Sequence, residues 1–302
     1  QRLAVIELEK YITAIHADED LDACPDVLAA FGEFIGDETI DDAFKALALV
    51  LPSVTTLTER MEVCDFEAAF EAREFLRLSL AAVHEKAFKE IYTKTDVAVE
   101  YKISPDESGR RSLKNIALSY LCTLESAENT AIAGAQFEKA DNMTDEIAAL
   151  GTLVHIDSET SRQAIQGFFD KWKDDVLVMN KWFAVQASSK LAGTLQRVKE
   201  LEENEAYDKE NPNKIRSLIR TFISTIHFHD ISGSGYEFLA DKVISIDSFN
   251  PSMASGMANG FRKYAKMDET RQALMKKAME RILAKDNISK DVYEIISKTI
   301  AL

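Results

Sequence analysis

The residues of this chain best suited to chemistry are its five histidines, because imidazole binds zinc and transfers protons near neutral pH. His84 and Glu85 begin like the H-E-x-x-H signature, in which two imidazoles one helical turn apart bind zinc and the Glu activates water. The fifth position is Phe88, so the second imidazole is missing. We therefore interpret His84 as a residue on the flank of a helix.

A second group of histidines lies at His227 and His229, followed by Asp230. Residues two apart lie on opposite sides of a helix or on the same side of a strand. A metal pair is one interpretation, and a polar loop is the favoured one, because no partner carboxylate follows at helical spacing. His16 and His155 stand alone. The sequence thus predicts no catalytic residue and no metal ligand in this chain.

The segment Gly233-Ser234-Gly235-Tyr236 contains two glycines, as phosphate-binding loops do. It lacks the third glycine of a dinucleotide fingerprint, the Gly-Lys pair of a P-loop and the G-x-S-x-G pattern of a nucleophile elbow. We interpret it as a flexible turn into a helix that begins near Tyr236. The sequence motifs therefore identify no active site.

Composition narrows the class of protein further. The chain has 302 residues, of which 46% are hydrophobic, enough to fill a sizeable core. With 51 acidic and 36 basic residues its formal charge is −15, which repels phosphate backbones and anionic lipids, so nucleic acid and membranes are not expected partners. The chain has three cysteines, Cys24, Cys64 and Cys122. They are widely spaced and odd in number, which favours a reducing compartment, the cytoplasm or the interior of an organelle.

Apolar residues recur at helical spacing along almost the whole chain, which predicts an all-α fold. The longest predicted helix covers 66–93. Asn211-Pro212 and Asn250-Pro251 each place a capping Asn before a Pro at the first helical position, so both should open helices. Trp172, Trp182 and Phe183 should belong to the core.

Short polar connections join these predicted helices into a succession of pairs, which is the pattern of an α-solenoid. We expect a HEAT-like superhelix of about sixteen helices, with 1–302 forming one domain. The alternating stretch 97–103 has no partner strand, so we expect an extended loop there. Because the chain has no initiator methionine and Gln1 runs straight into a helical pattern, we expect it to come from inside a longer protein.

Several strings in the last 190 or so residues resemble, in order, the C-terminal domain of bacterial and plant aminopeptidase N. They are Asn142-Met143-Thr144-Asp145, Lys171-Trp172, Leu177-Val178-Met179, Lys181-Trp182-Phe183, Gln186-Ala187, Asn211-Pro212-Asn213-Lys214-Ile215-Arg216-Ser217-Leu218-Ile219, Phe228-His229, Gly233-Ser234-Gly235-Tyr236, Phe238-Leu239, Asn250-Pro251, Tyr264, Asp268 and Thr270-Arg271-Gln272.

The resemblance implies a function for the missing part of the protein as well as for this chain. Members of that family are zinc exopeptidases that remove N-terminal residues from peptides, and their metal ligands belong to a separate catalytic domain. The resemblance therefore implies that zinc is bound outside this chain. It also implies that this domain caps the catalytic domain, its partner in the same polypeptide, and lines a channel for peptide substrates.

Three residues are implied to face that channel. The arginine of the Asn-Pro-Asn-x-Ile-Arg string is Arg216 here, and its planar fork suits a peptide carboxylate. After the second Asn-Pro the family usually shows Gln-Val-Ala-Ser-Arg, whereas this chain has Ser252 and Gly256 at the first and last of these positions. We expect a roomier and less basic channel. Ser232 likewise replaces the usual Asp of the Asp-Gly-Ser-Gly-Tyr turn.

Two other functions stay open at this point. A stand-alone α-solenoid could bind another protein on its concave face. A hydrolase could be assembled from residues that are scattered in the sequence. The alternative reading of Arg216 itself is that it only caps or bridges neighbouring helices.

Overall fold

The computed structural model describes residues 2–97 and 101–302. Within these residues it contains seventeen α-helices and no strand, which confirms the predicted all-α fold. The helices are α1 Arg2–His16, α2 Pro25–Gly36, α3 Asp42–Ala48, α4 Val54–Glu59, α5 Phe66–Val83, α6 Glu85–Thr95, α7 Pro105–Thr123, α8 Ala127–Lys139, α9 Met143–Leu153, α10 Glu159–Trp172, α11 Val176–Ala187, α12 Thr194–Leu201, α13 Pro212–Ile215, α14 Ser234–Asp247, α15 Pro251–Ala258, α16 Glu269–Leu283 and α17 Lys290–Ile300.

The helices form two compact units. Unit 1 comprises 1–57 and 67–167, and unit 2 comprises 58–66 and 168–302. In unit 1, α7 packs against α3, α6, α8 and α9. In unit 2, α14 packs against α15 and α16, and α17 packs against α15 and α16.

The two Asn-Pro pairs open helices, as the sequence predicts. The Asn211 side chain accepts a hydrogen bond from the Asn213 N–H at 2.9 Å, and Pro212 is the first residue of α13. The Asn250 side chain accepts one from the Met253 N–H at 3.0 Å at the start of α15. Each asparagine thus satisfies one of the amide donors that a helix start leaves unpaired.

The predicted single helix over 66–93 is wrong: it is two helices, α5 and α6, separated at His84. The His84 ring nitrogen Nε2 lies 2.9 Å from the carbonyl oxygen of Leu28, which draws the side chain towards α2. A Cβ at Gly32 would lie only 2.7 Å from the His84 ring, so the glycine allows the ring to approach α2 closely. Helical periodicity continues through the break and therefore does not reveal it.

Unit 1 encloses a buried ion pair beneath α7. The Lys114 ammonium lies 2.7 Å from Asp145 Oδ2, and the exposed fraction of both side chains is 7%. Asn115 and Asn142 donate further hydrogen bonds to the Asp145 carboxylate, at 3.0 and 3.2 Å. Burial alone would raise the pKa of Asp145, but Lys114 and the two amides outweigh it and the pKa is lowered.

Unit 2 contains the aromatic core predicted around Trp182 and Phe183. Both are buried, and their ring centroids lie 5.1 Å apart, whereas Trp172 is only half-buried. In α16 the buried positions include Met275, Ala278 and Ile282, which are spaced three and four apart on one face of the helix.

The stretch predicted as an extended loop, 97–103, is described in part. Residues 97 and 101–103 have no regular secondary structure, and 98–100, with Val99 of the alternating pattern, lie outside the described residues.

Among the helices of the described residues, none has the length and apolar character needed to cross a bilayer.

Candidate functional site

Arg216 begins a π-helical turn over Arg216–Arg220, directly after α13. Such turns are rare and often occur at functional sites. The Arg216 side chain is exposed, and its only hydrogen bond among the described residues is to the Asn213 side-chain oxygen, at 3.4 Å. The guanidinium therefore has no carboxylate partner and keeps most of its donors for solvent or a ligand.

The π turn is held in place by its buried neighbours. The Lys214 ammonium donates to the Val176 carbonyl oxygen at 3.0 Å and lies 5.1 Å from the centre of the Phe183 ring. Burial lowers the pKa of Lys214. Ile215 and Leu218 are buried on the same side of the turn. These contacts fix the turn against α11 and leave the opposite side, with Arg216, in solvent.

Ser252 and Gly256 lie one turn apart on the exposed side of α15. A Cβ at Gly256 would have no atom within 4 Å, so the space beside it is open. The intervening Met253 and Ala254 are buried and anchor the helix to the core of unit 2. The structure thus places both residues where a longer side chain would extend into solvent.

The structure brings Ser252 and Gly256 together but does not join Arg216 to them. In the described part of the chain no hydrogen bond links Arg216 to either residue. Arg216 lies on the turn that packs against α11 and α13, whereas α15 packs against α14 and α17. All three residues are exposed, and the expectation that they line one channel stays a prediction.

The polar loop predicted at His227–Asp230 differs from the structure. Residues Ile226–His229 form a 3₁₀ turn, and His229 is buried in the core of unit 2. Its ring stacks on Phe66, with 3.7 Å between centroids, and its Nδ1 lies 3.1 Å from the Tyr236 hydroxyl. Sequence spacing missed this role, because Phe66 is far away in the chain.

Burial, together with the positive charges of Lys263 and Arg271, lowers the pKa of His229 to about 3. The ring is therefore neutral at physiological pH. The Arg271 Nε donates to the His229 carbonyl oxygen at 2.7 Å, and its Nη1 lies 2.9 Å from Asp268 Oδ2. This cluster ties α16 to the 3₁₀ turn and is structural.

The glycine-containing turn starts α14, close to the predicted position. Gly233 adopts a left-handed conformation with φ of 72°, which suits glycine. A Cβ at Gly235 would lie 2.3 Å from the Phe228 carbonyl oxygen, so only glycine fits there. Ser232, in place of the family's Asp, accepts a hydrogen bond from the Ser234 N–H at 3.3 Å through its hydroxyl.

Within 2–97 and 101–302, no group of three or more His, Cys, Asp and Glu side chains is placed to hold a metal ion. Unit 1 has a cavity of about 440 Å³ beside α7, lined in part by Arg110, Arg111 and Lys114. These three cations are paired with Glu107 or with Asp145, so none of the three is an unpaired charge in the cavity wall.

Comparison with known proteins supports a helical-repeat fold over almost the whole chain. The family model described as "Domain of unknown function (DUF3458_C) ARM repeats" matches residues 1–301. ARM repeats are stacked helices, which confirms the predicted α-solenoid.

Curated relatives include aminopeptidase N of Escherichia coli strain K12, 35% identical over 277 residues, and aminopeptidase N of Caulobacter vibrioides, 34% identical over 273 residues. These matches cover 91% and 90% of this chain, but 32% of each relative. The chain therefore spans about a third of the length of these relatives.

A solved structure of Legionella pneumophila aminopeptidase A in complex with aspartic acid matches 99% of this chain with a TM-score of 0.90 and 27% sequence identity. The match covers 36% of that protein. Sequence and fold thus both match this chain to one portion of these longer proteins. The chain belongs to the family of C-terminal helical domains of aminopeptidase N.

Proposed function

We propose that this chain is the substrate-gating domain of a zinc-dependent aminopeptidase that removes N-terminal residues from peptides. In this proposal, 1–302 act as one domain that caps a catalytic domain of the same polypeptide and lines the channel for peptides. The observation that supports it most is the match to aminopeptidase N over nine-tenths of this chain and only a third of each relative. The parent enzyme would supply zinc and its ligands from the remaining two-thirds.

The exposed residues of unit 2 fit the task of lining a channel. The Arg216 guanidinium has no carboxylate partner, so it can attract a peptide carboxylate through charge-assisted hydrogen bonds. On α15 the open space beside Gly256 and the small Ser252 side chain leave room for a peptide to pass. These features support a wide passage in which one arginine steers the substrate.

The test uses the parent enzyme with Arg216→Gln or Gly256→Arg. Its substrates are a peptide of about ten residues and a small aminoacyl dye. Because an exposed ionic contact contributes up to about 1 kcal/mol, we expect Arg216→Gln to raise KM for the peptide about threefold to fivefold. Gly256→Arg should change the preference between short and long peptides.

The dye is the internal control, since it is too short to contact the channel wall while it reacts. Its kcat/KM should stay the same in both variants. Identical peptide profiles for wild type and both variants would refute the proposed role of the channel residues. An equal loss on dye and peptide would indicate a general defect of the enzyme instead.

A further inference from the structure

Arg220 lies four residues after Arg216, at the other end of the π turn. Both are exposed and belong to one exposed stripe, whose members are spaced three or four apart, as on one face of a helix. The stripe is Asn213, Arg216, Arg220 and Ser224. It contains two cations and no carboxylate.

These two arginines differ from most others in the chain. In the described residues, ion pairs to carboxylates are formed by Arg73, Arg110, Arg111, Arg162, Arg197, Arg262, Arg271 and Arg281. The Arg216 guanidinium contacts only a neutral amide oxygen, at 3.4 Å, and that of Arg220 has no hydrogen bond or ion pair within the same residues. In a chain with 51 acidic residues, two neighbouring arginines have thus been left uncompensated.

Buried side chains anchor the backbone beneath the stripe to the core of unit 2. Leu218, Ile219 and Phe222 are buried on the opposite side. The Ile223 N–H donates to the Ile219 carbonyl oxygen at 3.0 Å, so helical hydrogen bonding continues beyond Arg220. Side chains four apart on a helix face are neighbours, and two guanidinium groups at that spacing can bind one carboxylate from both sides.

We propose that Arg216 and Arg220 together form a carboxylate-binding pair, and that Arg220 is a specificity-determining residue for peptides that carry a free carboxylate. The inference rests on the proposed function for its substrate class, because it specifies which peptides the domain favours. Because the chain's net charge of −15 opposes anion binding in general, the attraction for a carboxylate has to come from local cations such as these two arginines. Arg220 supplies a second cation next to Arg216. The position of Gly256, where the family usually has an arginine, supplies none.

The experiment measures binding to the 302-residue chain, without catalysis or a second protein, by NMR titration at low ionic strength. The probe is acetyl-trialanine with a free C-terminal carboxylate. Its C-terminal amide is the uncharged control, and an amidated peptide with one internal Asp distinguishes a side-chain carboxylate from a C-terminal one. The variants are Arg216→Gln, Arg220→Gln and the control Arg162→Gln, which removes an exposed arginine paired with Asp157.

We expect the acid to bind several times more tightly than its amide. Arg220→Gln should raise Kd for the acid about threefold to fivefold, as is typical of an exposed ionic contact. Arg162→Gln should leave Kd unchanged, and thermal unfolding should show that all variants remain folded. Equal binding of acid and amide, or equal effects of Arg220→Gln and Arg162→Gln, would overturn the inference.

Failure here is distinguishable from failure of the proposed function. If the chain binds the acid through Arg220 but Arg216→Gln leaves KM of the parent enzyme unchanged, the carboxylate-binding pair is supported and the gating role is refuted. If the parent's kinetics depend on Arg216 but not on Arg220, the gating role stands and the pair is wrong.

Discussion

In unit 1 the buried Lys114 ammonium lies 2.7 Å from the Asp145 carboxylate, whereas in unit 2 the buried His229 ring has the cations Lys263 and Arg271 as its charged neighbours. At Lys114 a buried charge is stabilised by its partner, whereas at His229 the buried group stays neutral. A paired charge is sensitive to the loss of its partner, while a neutral imidazole is sensitive to acid. The two sites should therefore lose their contribution to stability under different conditions.

The largest expected effect comes from breaking the pair in unit 1. Asp145→Ala removes the closest partner of Lys114 and leaves its ammonium buried, with only the half-exposed Asp96 at 3.4 Å. We expect the free energy of unfolding to fall by about 3 kcal/mol in urea denaturation.

Asp157→Ala is the matched control for this change, because it breaks the exposed ion pair with Arg162. It should lower the free energy of unfolding by less than about 1 kcal/mol. Equal losses in Asp145→Ala and Asp157→Ala would contradict the contrast between buried and exposed pairs.

A smaller effect should follow acidification, through His229. Its pKa is about 3 in the folded chain and about 6.5 when unfolded, so the unfolded state binds the proton first. The stability it contributes is complete above about pH 6.5 and is lost as the pH falls towards 3. Between about pH 7 and pH 5 the loss should be about 2 kcal/mol.

Urea denaturation of wild type and His229→Gln at both pH values measures this contribution. The variant should lose less stability on acidification than wild type. Protonation of Asp145 affects stability in a different pH range. Because its pKa is lowered in the folded chain, the stability it contributes is lost only below about pH 4. Parallel slopes in wild type and His229→Gln would contradict the neutral buried ring.

Local rules predict part of this fold correctly. The caps at Asn211 and Asn250 depend on residues adjacent in sequence, so their chemistry is visible there. The break at His84 depends on Leu28, and the burial of His229 depends on Phe66, both distant in the chain. Such contacts exist only after folding and leave no periodic signal.

The candidate site is likewise predictable from the sequence only in part. Arg216, Ser252 and Gly256 come from strings that resemble a known family, and the structure adds their exposure. The π turn, and the lack of a carboxylate partner for Arg216 or Arg220 among the described residues, are features of the folded chain that sequence spacing does not reveal.

The most direct test of the account is to combine this chain with a separately produced catalytic portion of its parent enzyme. We predict a one-to-one complex in which peptide selectivity is restored, while the chain alone hydrolyses neither peptides nor an aminoacyl dye. Turnover by the purified chain, or no association with the catalytic portion, would contradict the assignment of this chain as a gating domain.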